Sequence, residues 1–238
     1  MNLFQAWLVH LYTAAGAVAA FFGAVAVFED RYKDAFLWMI AATFVDATDG
    51  VLARRAQVAA RLPHIDGARL DDIVDYLTFV FLPALLVYRA GLAPPTIDEL
   101  VVAAMLLSSA YGFTAADAKT DDYFFTGFPS YWNIVALYLY VGVQRGVLTP
   151  PITAVVLLAL SAMVFWRVGY VYPSRTPVWR TATIALGGLW ALSILAIVLM
   201  LPRVSFVLVA VSLTYPVYYL ALSAMLHARR RKVMAVPL

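Results

Sequence analysis

Apolar runs long enough to cross a bilayer recur along the whole of this chain, and that feature narrows its fold class more than any other. Eight candidate spans can be drawn, at roughly 8–28, 35–54, 71–90, 98–116, 130–145, 151–168, 181–201 and 204–226. The expected fold is all-α: a polytopic integral membrane helix bundle of about eight transmembrane helices. Hydrophobic residues make up 64% of the 238 and the mean hydropathy is +0.84, which excludes a soluble globular domain and a disordered chain alike. Local signals set several edges. Thr96 with Glu99 reads as a capping box opening the fourth span. Thr149 followed by Pro150 opens the sixth, Pro202 closes the seventh, and Pro216 inside the eighth predicts a kink. No internal repeat and no linker divides the chain, so a single domain over 1–238 is expected. Met1 to Trp7 carries no positive segment and the first run is long enough to remain as an anchor, so no cleavable signal peptide is expected.

The absence of cysteine excludes disulfides, thiolate chemistry and cysteine-held zinc or iron–sulfur sites. The three histidines, His10, His64 and His227, are scattered, so a histidine-rich metal centre is not expected. Net charge is +3, and its placement matters more than its size. An even number of spans puts both termini on one side. Segments on that side hold Arg54, Arg55, Arg61, Arg69, Lys119, Arg167, Arg175, Arg180, Arg229, Arg230, Arg231 and Lys232, twelve of the 17 basic residues. The other side holds Arg31, Lys33, Arg89, Arg145 and Arg203. The positive-inside rule therefore predicts cytoplasmic termini in a multi-pass protein of the bacterial inner membrane. The basic tail 227–232 reads as a stop-transfer cluster facing anionic headgroups, and no nucleic-acid partner is expected.

Against that apolar setting the stretch from 46 to 75 stands out. It reads Asp46-Ala-Thr-Asp49-Gly50-Val-Leu-Ala53-Arg54, twelve further residues, then Gly67-Ala-Arg-Leu-Asp71-Asp-Ile-Val-Asp75. Ionisable groups in membrane helices are costly and usually line a site. At about 100° per residue, Asp46, Asp49, Gly50, Ala53 and Arg54 share one arc of a helix, while Gly67, Asp71 and Asp75 form a stripe on the next. A helical hairpin brings the four carboxylates to one depth. Four acids so close repel and take up protons unless a cation compensates them, and hard oxygen ligands suit Mg²⁺ or Mn²⁺. Asp66 and Asp72 lie off these stripes and read as solvated or supporting groups. Gly50, Ala53 and Gly67 leave the facing surface nearly bare, which suits a flat ligand.

The pattern Asp-x-x-Asp-Gly-x-x-Ala-Arg, spacer, Gly-x-x-x-Asp-x-x-x-Asp resembles the signature of the CDP-alcohol phosphotransferases, with every fixed position matched. The one departure is the spacer, which is longer than the common form; the longer form is associated with the bacterial branch of the family that makes phosphatidylcholine. The resemblance implies an enzyme that transfers a phosphatidyl group from CDP-diacylglycerol to an alcohol and releases CMP, with Asp46, Asp49, Asp71 and Asp75 as metal ligands. It implies Asp75 as the base, a nucleotide and phosphate site from Asp49, Gly50, Ala53, Arg54 and Gly67, and a homodimer. His10-Leu-Tyr-Thr13 on the first span is similar to the family's Asn-x-x-Thr, in which the Thr lines the nucleotide site; a Thr in a membrane helix can instead bond its own backbone.

Two loops on the basic side are unusually aromatic, 117–133 and 166–175, and Phe125-Thr-Gly-Phe-Pro129 and Tyr172-Pro-Ser174 are similar to loop motifs of a related branch. Trp and Tyr favour headgroup depth, so an interfacial belt is one reading and substrate contact the other. Choline is the expected acceptor, because a fixed cation that cannot donate a hydrogen bond is best held by aromatic faces and a carboxylate. Tyr111, Asp117, Asp122, Tyr123, Phe128, Tyr131, Trp132 and Tyr172 form the pool for such a site. Serine or glycerol 3-phosphate is the rival acceptor, the latter through Lys119, Arg167, Arg175 and Arg180. The competing class is a cation-coupled transporter, which usually places its site near the bilayer midplane in repeated halves; here the acids cluster toward one face and no repeat is visible.

Overall fold

The computed structural model describes residues 3–118, 120, 122–173 and 175–234; Lys119, Ser174 and the side chains of Arg231 and Lys232 lie outside what is described. In chain order the elements are α1 (Leu3–Phe28), α2 (Tyr32–Ala56), α3 (Val58–Arg61), α4 (Gly67–Asp75), a π-helical segment (Tyr76–Phe81), α5 (Leu82–Arg89) and α6 (Asp98–Thr114). There follow β1 (Phe124–Thr126), α7 (Trp132–Gln144), α8 (Pro150–Val164), β2 (Gly169–Val171), α9 (Arg180–Leu199), α10 (Phe206–Ser212) and α11 (Thr214–Met234). The protein is a helical membrane protein. Among the described residues, four stretches are long and apolar enough to cross a membrane: Leu3–Phe28, Tyr32–Ala56, Arg180–Leu199 and Phe206–Arg230. Trp132–Gln144 and Pro150–Val164 are shorter apolar helices. The chain packs as two compact units, one of Met1–Leu107 with Tyr131–Val155 (unit 1) and one of Ser108–Ser130 with Val156–Leu238 (unit 2).

In unit 1, α1 and α2 form an antiparallel hairpin whose turn is pinned by polar groups. Arg89 Nη2 pairs with Asp30 at 2.9 Å, and Tyr32 Oη donates to Asp30 Oδ1 at 2.8 Å. The other face of α1 meets the helix that runs without interruption from Gly67 to Arg89. Small residues let the axes come close. A Cβ at Gly16 would stand 2.5 Å from Val74 Cγ1, and one at Gly23 2.5 Å from Leu82 Cδ2. Such contact leaves no room for sliding, so the groups α1 carries are fixed against α4.

Three departures from the sequence reading have simple causes. The second helix of the motif starts at Gly67, four residues before the apolar run, because Asp66 caps it: Asp66 Oδ1 accepts from Arg69 N–H at 3.1 Å. The fourth begins at Asp98 as expected, but there the Glu99 N–H donates to Asp98 Oδ1 at 2.8 Å, where a capping box would have it donate to Thr96. The aromatic loops are not wholly irregular: β1 and β2 pair antiparallel, Phe124 opposite Val171 and Phe125 opposite Tyr170, so a purely α description needs that correction. The edges at Pro150 and after Leu199 stand as expected, and the eighth run breaks into α10 and α11 at Leu213, with Pro216 in the first turn of α11.

Unit 2 is built around that ribbon. Its outer backbone is capped by side chains of α11. Val171 N–H donates to Ser223 Oγ at 3.1 Å, Gly169 N–H to His227 Nδ1 at 3.1 Å, and Tyr219 Oη donates to Val171 O at 3.0 Å. Phe124 and Val171 face Leu222 and Leu226 in a small core. A sheet edge covered this way satisfies its backbone without a third strand.

Candidate functional site

The end of α2 remote from the hairpin turn carries Asp46 and Asp49, three residues apart and so on one side of the helix. The first turns of α4 carry Asp71. One carboxylate oxygen from each of Asp46, Asp49 and Asp71 lies within 4.8 Å of the other two. Asp49 is buried and the other two are half-buried. From α1, buried Thr13 donates its Oγ1 proton to Asp49 Oδ2 at 2.8 Å. The Thr13 hydroxyl thus reaches across to a carboxylate of α2. Next to it, Tyr12 Oη and Thr48 Oγ1 are 2.7 Å apart and tie the same stretch of α1 to α2.

The rest of the motif is disposed around this trio. Asp75, one turn beyond Asp71 on α4, is half-buried, immediately precedes the π segment and is not one of the three convergent acids. A π segment admits one extra residue per turn and shifts the face a helix presents, and such insertions cluster at functional sites. Arg54 is exposed, and its Nη1 lies back over Gly50, 3.3 Å from where a Cβ would be. Ala53 packs on a cluster of Ala6, Val9, Ala56, Val58 and Leu62. That cluster explains the long spacer: α3 folds down and docks Val58 and Leu62 on the N-terminal part of α1. Gly67 is not bare. The His10 imidazole lies over it, Cε1 standing 3.1 Å from a notional Cβ. Asp66 is exposed and serves as the helix cap, whereas Asp72 is half-buried, about 100° around α4 from Asp71.

The aromatic pool divides between the units. Tyr131 and Trp132 belong to unit 1, where Trp132 is fully buried and offers no open ring face. Tyr111, Asp117, Asp122, Tyr123, Phe128 and Tyr172 belong to unit 2. There Tyr111 pairs with the Phe165 ring at 4.9 Å, and Phe128 N–H donates to Met163 O. Asp117 meets Arg167 at 3.0 Å, and Asp122 meets Arg230 at 2.7 Å, with the Arg230 guanidinium 5.4 Å from the Phe124 ring centre. Tyr172 N–H donates to Tyr123 O, and the Tyr172 ring lies 4.7 Å from that of Phe125. Asp122, Tyr123, Phe125 and Tyr172 are therefore one neighbourhood. Phe125 was quoted in the loop motif but left out of the expected pool; only the strand alternation, which puts Phe125 and Tyr172 on one face, reveals it.

No family model matches the chain. Curated relatives do. A phosphatidylcholine synthase of Legionella pneumophila is 39% identical over 229 residues, covering 92% of this chain and 88% of that protein. One from Pseudomonas aeruginosa is 36% identical over 193 residues, covering 81% and 79%. One from Rhizobium meliloti is 35% identical over 188 residues, covering 79% and 76%.

Proposed function

The chain belongs to the phosphatidylcholine synthase family, a CDP-alcohol phosphotransferase type of enzyme, and from that premise we propose that it transfers the phosphatidyl group of CDP-diacylglycerol to choline, giving phosphatidylcholine and CMP. The observation that carries the chemistry is the convergence of Asp46, Asp49 and Asp71 within 4.8 Å. Three carboxylates, with no nitrogen or sulfur among them, fit a hard divalent cation such as Mg²⁺ or Mn²⁺. Asp46, Asp49 and Asp71 would hold it, with Asp75 one turn further on as the fourth acid of the set. Bound there, the cation supplies neutralisation of the donor's pyrophosphate and of the charge on departing CMP.

The chain's own groups do the rest. Thr13 fixes the Asp49 carboxylate through its 2.8 Å hydrogen bond. Arg54 forks onto a pair of phosphate oxygens, and Asp49, Gly50, Ala53 and Gly67 shape the nucleotide side. Asp75 takes the proton from the choline hydroxyl as its oxygen bonds to the phosphatidyl phosphorus and the bond from that phosphorus to CMP breaks. Within unit 2, the ring faces of Tyr172, Phe125 and Tyr123, with Asp122 beside them, are the groups suited to recognising the choline cation.

The reading extends to topology. Eight spans, with both termini and the acid site in the cytoplasm of a bacterial inner membrane, suit a water-soluble acceptor and a nucleotide product. The twelve-to-five distribution of basic residues supports that orientation, and the chain works as one catalytic domain. Pairing of two chains rests on the family likeness alone.

The test is CMP release by the purified full chain with one CDP-diacylglycerol donor and choline, serine, inositol or glycerol 3-phosphate. Choline is the preferred acceptor and excess EDTA abolishes the reaction. Preference for serine or glycerol 3-phosphate with choline inert removes the choline assignment, and full activity in EDTA removes the metal.

A further inference from the structure

Among the described residues, five other than glycine have a positive φ: Asp30, Gln57, Tyr123, Ser130 and Trp179. Asp30 stands in the turn between α1 and α2, and Gln57 and Trp179 border helices. Tyr123, at φ +65°, immediately precedes β1, and a bulky side chain is a true outlier in that conformation. Glycine makes such a turn without strain, so a chain that needed only the turn has no use for a ring there. The Tyr123 side chain is 42% exposed and adds little to the core.

The strained residue is held from both sides. Tyr123 N–H donates to Thr120 O at 3.0 Å, and the next N–H, of Phe124, donates to Thr120 Oγ1 at 3.1 Å. Opposite, Thr176 Oγ1 donates to Tyr123 O at 3.0 Å and accepts from Tyr172 N–H at 3.2 Å. Thr176 N–H in turn donates to Tyr172 O at 2.9 Å. Thr176 is 3% exposed and belongs to neither strand. One buried hydroxyl thus bridges the backbones of Tyr123 and Tyr172, and the Tyr172 ring lies 4.7 Å from that of Phe125. Strain of this kind persists only where the surroundings over-determine it, and it gathers at binding sites.

We propose that Thr176 is a positioning residue for the acceptor: its hydroxyl fixes the spacing of the ring-bearing residues Tyr123 and Tyr172 and keeps Tyr123 in its strained conformation, so that choline meets preset ring faces. This rests on the reading of the unit 2 rings as the choline site. Attraction of a cation to a ring holds only within about 6 Å of the ring centre, so the spacing of the residues that carry the rings matters as much as their number. Thr176 itself touches no substrate and acts through the two backbones it joins.

The experiment uses the full chain in detergent, with CMP release giving kcat and separate KM values for choline and CDP-diacylglycerol, and with the melting temperature recorded. Thr176→Val keeps the shape and removes the hydroxyl, while Tyr172 N–H and Tyr123 O keep their direct 3.2 Å hydrogen bond. Choline KM rises about fivefold, with kcat at saturating choline and donor KM within about twofold of wild type. Thr176→Ser restores the choline KM. Thr176→Ala behaves like Val and decides the matter if the Val variant does not fold. Tyr123→Gly removes both ring and strain: choline KM rises at least as much, and the melting temperature is kept or raised. Tyr172→Leu reports on the ring reading alone. Wild-type choline KM in Thr176→Val beside a raised one in Tyr172→Leu overturns the role of Thr176 and leaves the ring site standing. A donor KM or kcat that changes in Thr176→Val as much as the choline KM marks a merely structural hydroxyl and overturns it too. Unchanged choline KM in both Thr176→Val and Tyr172→Leu overturns the ring site and the proposal together.

Discussion

In unit 1 three carboxylates are gathered from two helices to within 4.8 Å of one another; in unit 2 Asp117 and Asp122 each meet an arginine, at 3.0 and 2.7 Å. The two regions hold the same functional group under opposite conditions. Like charges brought to that spacing repel one another unless a cation stands among them. Three carboxylates gathered in this way could hold a cation, which is the reading proposed above. Asp117 and Asp122 are already compensated by side chains of the same chain. The difference teaches that acid count is a poor guide to chemistry: in the trio the protein accumulates negative charge, and in the ribbon it cancels it.

The largest way to break the contrast is to neutralise one member of the trio. Asp49→Asn or Asp71→Asn reduces turnover on the order of 10²–10³-fold, with detergent melting temperature kept or raised, because a repulsive charge has been removed. Asp75→Asn sharpens the point. As the base it loses transfer to a similar degree but keeps donor affinity, whereas Asp49→Asn loses affinity for CDP-diacylglycerol as well. Equal loss of donor binding in both would make Asp75 a ligand only.

How far each region was legible follows from the same contrast. The acids of each helix could be grouped from the sequence because helical periodicity is local: residues three or four apart share a face whatever the tertiary structure does, whereas the closer grouping of Asp46, Asp49 and Asp71 without Asp75 depends on packing. The same period places Gly67 on the helix of Asp71 and Asp75, whereas the apolar run marks only 71 onward, and the cap that Asp66 provides is a contact that hydropathy does not register. The twelve-residue spacer was noticed as a departure, yet its purpose appeared only when Val58 and Leu62 were found docked on Ala6 and Val9. His10 was visible as a substitution in a short motif, and its place over Gly67 needs coordinates. The ribbon was the least legible part. Its pairing joins residues more than forty positions apart, Phe124 with Val171, and no short-range period announces such a partner. A pool of aromatics drawn from loop composition therefore took in Trp132, a core residue, and passed over Phe125.

A smaller effect tests the ribbon as a cation site. Removing a ring face from a cation contact costs about 0.5–2 kcal/mol. Tyr172→Leu or Phe125→Leu accordingly raises the choline KM about five- to tenfold and leaves the donor KM alone, whereas Tyr172→Phe, which keeps the face, is close to wild type. Unchanged choline KM in both Leu variants would return these rings to an interfacial belt.

The smallest effect is expected at Asp117, and it separates the two arginine-paired acids Asp117 and Asp122. Its partner Arg167 is 80% exposed and Asp117 itself 48%, so solvent screens the pair and its worth is about 0–1 kcal/mol. Asp122 shares Arg230, a less exposed arginine seated on the Phe124 ring, and stands next to Tyr123 in the aromatic neighbourhood. Asp117→Asn should therefore leave the melting temperature within about a degree or two and the choline KM within about twofold. Asp122→Asn should raise the choline KM by several-fold, since it leaves the Arg230 guanidinium uncancelled to repel a cation over the rings. The ratio of the two effects is the measurement. If Asp117→Asn weakens choline binding as much as Asp122→Asn, exposure is no guide to which acid serves the acceptor, and the site lies nearer Arg167 and Tyr111 than Tyr172.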